Sequence, residues 1–224
     1  MRIFGLRIWV VVGLVVLVAA GIVVLYFLYG RGPQPGDVVF QDDFSAPSSQ
    51  WPAGASKGGF TLFSGGTYLV GVDPGSSISA LTDLPTTQRD VRVEAAVVRM
   101  PSAHDVLVGL ACRADETDRF YELAISGAGR WVVVRRPDLT VLGKGMFDPS
   151  SLGSGAVDLD AECAGGDAEH PLRLALSVNG TVVGVAHERP GEAPLPSGGV
   201  GFVVVNGSAD PADVHFDDLR VLVA

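Results

Sequence analysis

Apolar and polar positions alternate over most of this chain, and one long stretch breaks the pattern completely. From Ile8 to Tyr29 the run IWVVVGLVVLVAAGIVVLYFLY holds 22 residues without a charge. A bilayer core about 30 Å thick needs roughly 20 such residues as a helix, so the run predicts one transmembrane helix over residues 8–29. Trp9, Tyr26 and Tyr29 stand near its ends, where amphipathic rings favour the membrane boundary. A cleaved signal peptide has a shorter apolar region, about 7–15 residues, and this run continues well past its only small-residue site, Val18-Ala19-Ala20. It therefore reads as a retained anchor. Arg2 and Arg7 precede it and Arg31 alone follows closely, which predicts a cytoplasmic N-terminus and an extracytoplasmic remainder.

The pattern after the anchor divides simply. Residues 1–7 form a short cytoplasmic N-terminus, 30–36 (GRGPQPG) a Gly/Pro stalk, and 37–224 one exported domain. In that domain short valine-rich runs bounded by Gly, Pro, Asp or Ser predict strands. They fall at 38–44, 60–63, 68–72, 77–81, 91–100, 106–113, 120–126, 131–136, 140–142, 157–163, 172–178, 182–187, 200–205 and 214–223. Val91-Arg92-Val93-Glu94 and Leu172-Arg173-Leu174 alternate as strands with one buried face do. Asn179-Gly180 joins two runs with the residue pair that a type I′ hairpin demands, and Gly127 and Gly129 mark a second reversal. The fold expected is all-β: a two-sheet antiparallel sandwich preceded by a single N-terminal transmembrane helix.

Charge narrows the partners. All 25 acidic residues but only 13 of the 16 basic ones follow the stalk, leaving the exported part at −12. Such a surface argues against nucleic acid or anionic lipid as a partner. Lysine is nearly absent while arginine, alanine, glycine and valine abound, a composition of GC-rich bacterial coding. Cys112 and Cys163 are the only cysteines. An even count in an oxidising compartment predicts one disulfide, and no third ligand accompanies them for zinc.

The opening VFQDDFS with Trp51 comes first in an ordered set of segments. It is followed by GLACRADETDRFYELAISGAGRWVVVRR, LRLALSVNGTVVGVA, GGVGFVVV and a closing VHFDDLRVLV. Together they resemble the concanavalin A-like (laminin-G-like) jelly-roll superfamily, in its bacterial membrane-anchored form, over essentially all of residues 37–224. The resemblance implies a jelly roll whose first and last strands pair, bringing Asp42-Asp43 near Asp217-Asp218. It also implies a fold whose members commonly bind carbohydrate.

Three sets of residues are candidates for chemistry. Arg119, Tyr121, Trp131 and Arg135 fall on neighbouring strands together with Arg113. There a ring stacks on a sugar and guanidinium groups bond its hydroxyls or carboxylates; alternatively the two aromatics belong to the core. Asp43 and Asp217 are candidate ligands of a structural calcium, which wants six to eight oxygens, or are solvated edge residues. No other cofactor is expected. His104, His170, His187 and His215 are scattered, without metal-binding spacing. Glucanase relatives carry an E-x-D-x-x-E type strand, whereas VRVEAAVVRM has Glu94 alone. The expectation is thus a non-catalytic binding module for an envelope carbohydrate. The alternatives are an accessory subunit bound to a neighbouring membrane protein, and a glycoside-processing enzyme.

Overall fold

The computed structural model describes residues 32–85, 88–101 and 103–224. The expected anchor at 8–29 lies outside these, and among the described residues no helix is long and apolar enough to cross a membrane. In chain order the strands are β1 (Val38–Asp42), β2 (Gly54–Ser56), β3 (Gly59–Ser64), β4 (Thr67–Val72) and β5 (Ser77–Thr82). Next come β6 (Val91–Arg99), β7 (Val106–Ala114), β8 (Tyr121–Ser126), β9 (Arg130–Arg135) and β10 (Thr140–Met146). The last five are β11 (Val157–Ala164), β12 (Arg173–Val178), β13 (Thr181–His187), β14 (Gly199–Asn206) and β15 (Ala212–Val223). A 3-10 turn, Pro149–Leu152, lies between β10 and β11.

Two antiparallel sheets result. The nine-stranded one runs β13-β12-β11-β6-β15-β4-β3-β2 with β1 also paired to β15, and the six-stranded one runs β10-β9-β8-β7-β14-β5. The expected pairing of first and last strands is present, with Asp42 opposite Leu219. Asn179 and Gly180 both take positive φ, 48° and 76°, as their hairpin requires. Three-residue β2 is the one strand that the hydrophobic pattern did not reveal. It has no buried residue, so no alternation marks it.

Side chains at alternate positions of the two sheets meet in one core. Phe44, Trp51, Tyr68, Phe202 and Phe216 fill one part, with the Phe202 and Phe216 rings stacked at 4.1 Å. Asp42 explains the opening motif: it accepts from the Trp51 indole at 3.0 Å and from the Phe44 amide at 2.9 Å. The expected disulfide is formed. Cys112 of the six-stranded sheet is bonded to Cys163 of the nine-stranded sheet, so it ties one layer to the other.

Candidate functional site

The strand register decides which residues face solvent. On β8, Tyr121, Leu123 and Ile125 are buried in the core, so Glu122, Ala124 and Ser126 point to the sheet's other face. On β9, Val133 is in the core and Trp131 packs against it, while Val132 and Val134 point away. Tyr121, Trp131 and Arg135 are therefore turned inward. The Tyr121 hydroxyl donates to Glu188 at 2.5 Å and accepts from the Leu195 amide at 2.9 Å. Burial, reinforced by the Glu188 carboxylate, pushes the phenol well above its ordinary value. Arg135 is spent on Glu188, Glu192 and Asp138. Trp131 lies over three glycines: a Cβ on Gly184, Gly145 or Gly143 would stand 2.5, 2.6 or 3.1 Å from its ring. Arg119 does not join them. The chain turns at Asp118, φ 57°, and Arg119 is exposed and paired with Asp115. Burial works against ionisation of Asp115, but bonds from Thr117 and Arg119 outweigh it and hold the carboxyl at about 2.

Arg113 is likewise interior. A positive φ of 54° turns its side chain inward, where it is 1% exposed. It donates to the carbonyls of Arg89, Leu195 and Gly165 and to Asp90. Of the four residues expected as a sugar platform, Tyr121, Trp131 and Arg135 thus face the interior between the sheets, as Arg113 does, and Arg119 lies exposed on a turn.

The acidic pairs do converge. Gln41, Asp42, Asp43, Asp218, Leu219 and Arg220 line an open hollow of about 410 Å³. Burial raises Asp217, and the charges of Asp218 and Asp43 add to that effect. Asp43, however, is engaged by Ser45, and Asp217 by the Asp218 amide. Among the described residues no group of three or more His, Cys, Asp or Glu side chains is arranged to hold a metal ion. His215 bonds Thr67, His187 the Leu172 carbonyl and His170 Asp167, each in a separate place.

The free face of the six-stranded sheet offers a different surface. One row across it runs Lys144, Val132, Ala124, Gly109, Val203 and Ser79. The next runs Val134, Glu122, Ala111, Gly201 and Leu81. Ala111, Glu122, Ala124, Ser126 and Val203 are buried, although the strong packing partners of β7, β8 and β14 are sheet neighbours or the opposite sheet. A Cβ on Gly109 would stand 2.4 Å from the Leu123 carbonyl oxygen and 2.6 Å from the Ala124 Cβ, so β8 leaves no room for a side chain there. The centre of this face is built of glycine and alanine.

Its polar groups are few. Arg136 donates through Nε to Glu122 at 2.7 Å. Burial pushes the Glu122 carboxyl up, and Arg136 only partly offsets this. Arg130 bonds Asp105 and the His104 carbonyl at the rim. Lys144 has no ion-pair partner among the described residues. Sequence reasoning passed over Glu122 and Arg136. The available signal was the parity of YELAIS, which sets a lone acid on the outward side beside alanine and serine.

No family model matches the chain, and no curated protein does. Solved structures do match in fold. A protein of unknown function with a galectin-like fold from Bacillus subtilis has a TM-score of 0.62 at 13% identity, covering 85% of this chain and 97% of its own. The carbohydrate-binding module CBM66 from Bacillus subtilis gives 0.57 at 13% identity, covering 77% and 95%. LamA from Z. galactanivorans, in complex with laminaritriose and laminaritetraose, gives 0.54 at 10%, covering 84% and 100%. At these identities the likeness is one of fold, and that fold is the galectin-like jelly-roll sandwich.

Proposed function

We propose that residues 35–224 form a non-catalytic carbohydrate-binding module that takes its glycan on the free face of the six-stranded sheet. The observation that carries this reading is the small-residue centre of that face at Gly109, Ala111 and Ala124, with the exposed Lys144 on the same face and Arg136 held beside it by the buried Glu122. A carbohydrate-binding module and a galectin-like protein among the neighbours in fold support it. Glycoside hydrolysis is the second reading, because LamA shares the fold in complex with laminari-oligosaccharides. That chemistry ordinarily uses two carboxyl groups about 5–9.5 Å apart. Around Glu122 on this face stand Val134, Ala111, Phe120 and Ala124, which supply no second one.

The module is held at the outer surface of a bacterial cell membrane by residues 8–29, within a short stalk's reach of an envelope glycan or a neighbouring membrane protein. The disulfide supports an oxidising compartment. Co-sedimentation of the full-length chain with purified envelope polysaccharide tests the binding site. Saturable binding that is lost in Ser79→Trp and Lys144→Glu is the expected result. Binding that ignores both substitutions, or release of sugar from the polymer, overturns the reading. Protease protection in intact cells tests the location separately.

A further inference from the structure

Acidic residues are divided unequally between the two sheets. The strands of the six-stranded sheet contain one, Glu122, whereas those of the nine-stranded sheet contain eight. Lysine and arginine are shared evenly, four to each sheet. Three cations stand on the free face of the six-stranded sheet: Arg130 on β9, Lys144 on β10 and Arg136 just beyond β9. The Arg136 amide bonds the Phe120 carbonyl at 2.9 Å, which continues the β8–β9 pairing and sets its side chain with Val134 and Glu122. Arg130 is engaged at the rim by Asp105. Lys144 is exposed.

Arg136 is fixed without being used up. Its partner Glu122 is 1% exposed, and the bond between them engages Nε alone. A guanidinium carries five N–H donors, and no other partner of Arg136 lies among the described residues. Both Nη groups, the fork that meets a carboxylate or phosphate with two parallel bonds, are therefore unclaimed. Beside this fork the face is apolar: Phe120, Ala111, Ala114 and Val203 form a cluster, with Leu81 and Val205 packed against it. From this we infer that the glycan of the proposed module is an acidic one, whose carboxylate or phosphate oxygens are taken by the Arg136 fork. Glu122 is the positioning residue. Lys144, two strands from β8 and so about 10 Å across the sheet, meets a second position of the same ligand. The inference rests on the carbohydrate-binding reading and adds the charge class of the ligand. Acids elsewhere turn an anionic chain away, and this face is where it can approach.

The test measures the affinity of the full-length chain, in detergent micelles, for purified envelope polysaccharide in three forms: untreated, carboxyl-reduced and dephosphorylated. Carboxyl reduction turns uronates into neutral sugars, and dephosphorylation removes phosphate groups. The arm that loses binding identifies the source of the charge, and a loss of about tenfold or more in one arm is expected. Arg136→Lys keeps the charge and removes the fork. It should lower the ratio of untreated to treated affinity about tenfold, whereas a purely structural Arg136 would weaken all three forms alike. Lys144→Gln leaves the Glu122–Arg136 pair intact and should lower the same ratio about threefold. Unaltered circular dichroism in each variant excludes misfolding. Equal binding of the three forms overturns the inference and leaves a carbohydrate-binding module standing. A preference that survives both substitutions overturns it too. Absence of binding to the untreated polymer overturns the module itself, and the inference with it.

Discussion

The sandwich has two free faces built from the same alternation, yet they carry opposite chemistry. On the nine-stranded sheet, Arg92 pairs with Asp160 and Glu94, Arg220 with Glu94, and Arg173 with Glu162. Arg220 stands directly opposite Glu94, while Arg92–Asp160 and Arg173–Glu162 run diagonally between adjacent strands and Arg92–Glu94 lies along β6. The six-stranded sheet has Ala111, Ala124, Val203 and Gly109 at the corresponding central positions and a single buried Glu122–Arg136 pair. One face is a neutralised ladder with its charges already occupied. The other is built of small apolar residues and short of charge, which leaves room for something else.

The largest test of this contrast concerns what holds the faces back to back. Replacing Cys112 and Cys163 together by alanine removes the covalent tie between layers that closes a separation of 51 residues. About 4 kcal/mol of stability should be lost by the chain-entropy account, read as a fall in denaturant midpoint. If stability does not change, the two layers hold together by packing alone.

The glycine at the centre of the bare face comes next. Gly109→Ala puts a methyl group 2.4 Å from the Leu123 carbonyl oxygen and 2.6 Å from the Ala124 Cβ. About 1–3 kcal/mol of destabilisation is expected, with loss of polysaccharide binding in whatever protein remains folded. A neutral result at Gly109 would mean that β8 yields to a methyl group at no cost.

The smallest effects separate the two kinds of charge. Arg173→Gln on the ladder side should cost under about 1 kcal/mol, because its pair is largely exposed. Glu122→Gln should instead behave according to pH. The folded carboxyl is raised above its ordinary value, so its contribution is complete below that value and is lost as pH rises through the elevated one. The melting temperature of the Glu122→Gln variant, relative to the unaltered protein, should therefore be more favourable at pH 7 than at pH 4. A pH-independent difference would show that Glu122 is not paying a burial cost.

Much of the fold was legible because strands advertise themselves by period and turns by residue type. Asn179-Gly180 fixed one hairpin, and the valine-rich runs match the observed strands to within a few residues. The proximity of the two Asp-Asp pairs follows the ordered resemblance, whereas the Asp42–Trp51 bond emerged only with the structure. The site was less legible. Arg113, Tyr121 and Arg135 are polar groups that serve the interior, and their roles depend on distant carbonyls and carboxylates such as Leu195 and Glu188. Local sequence holds no trace of those partners. The need for glycine at position 109 was equally hidden, since it becomes meaningful only when Ala124 is beside it.

The pairing of β1 with β15 has one further consequence. Gly36 donates to the Val223 carbonyl at 2.8 Å and Val223 donates to Asp37 at 3.0 Å, so the domain is entered and left at a single corner. That corner belongs to the nine-stranded sheet. It acts as a handle: any tether or fusion at either end of residues 36–224 begins on the layer that bears the charge ladder, not on the six-stranded one. A load applied there is borne first by the β1–β15 seam, while the opposite layer stays free to engage.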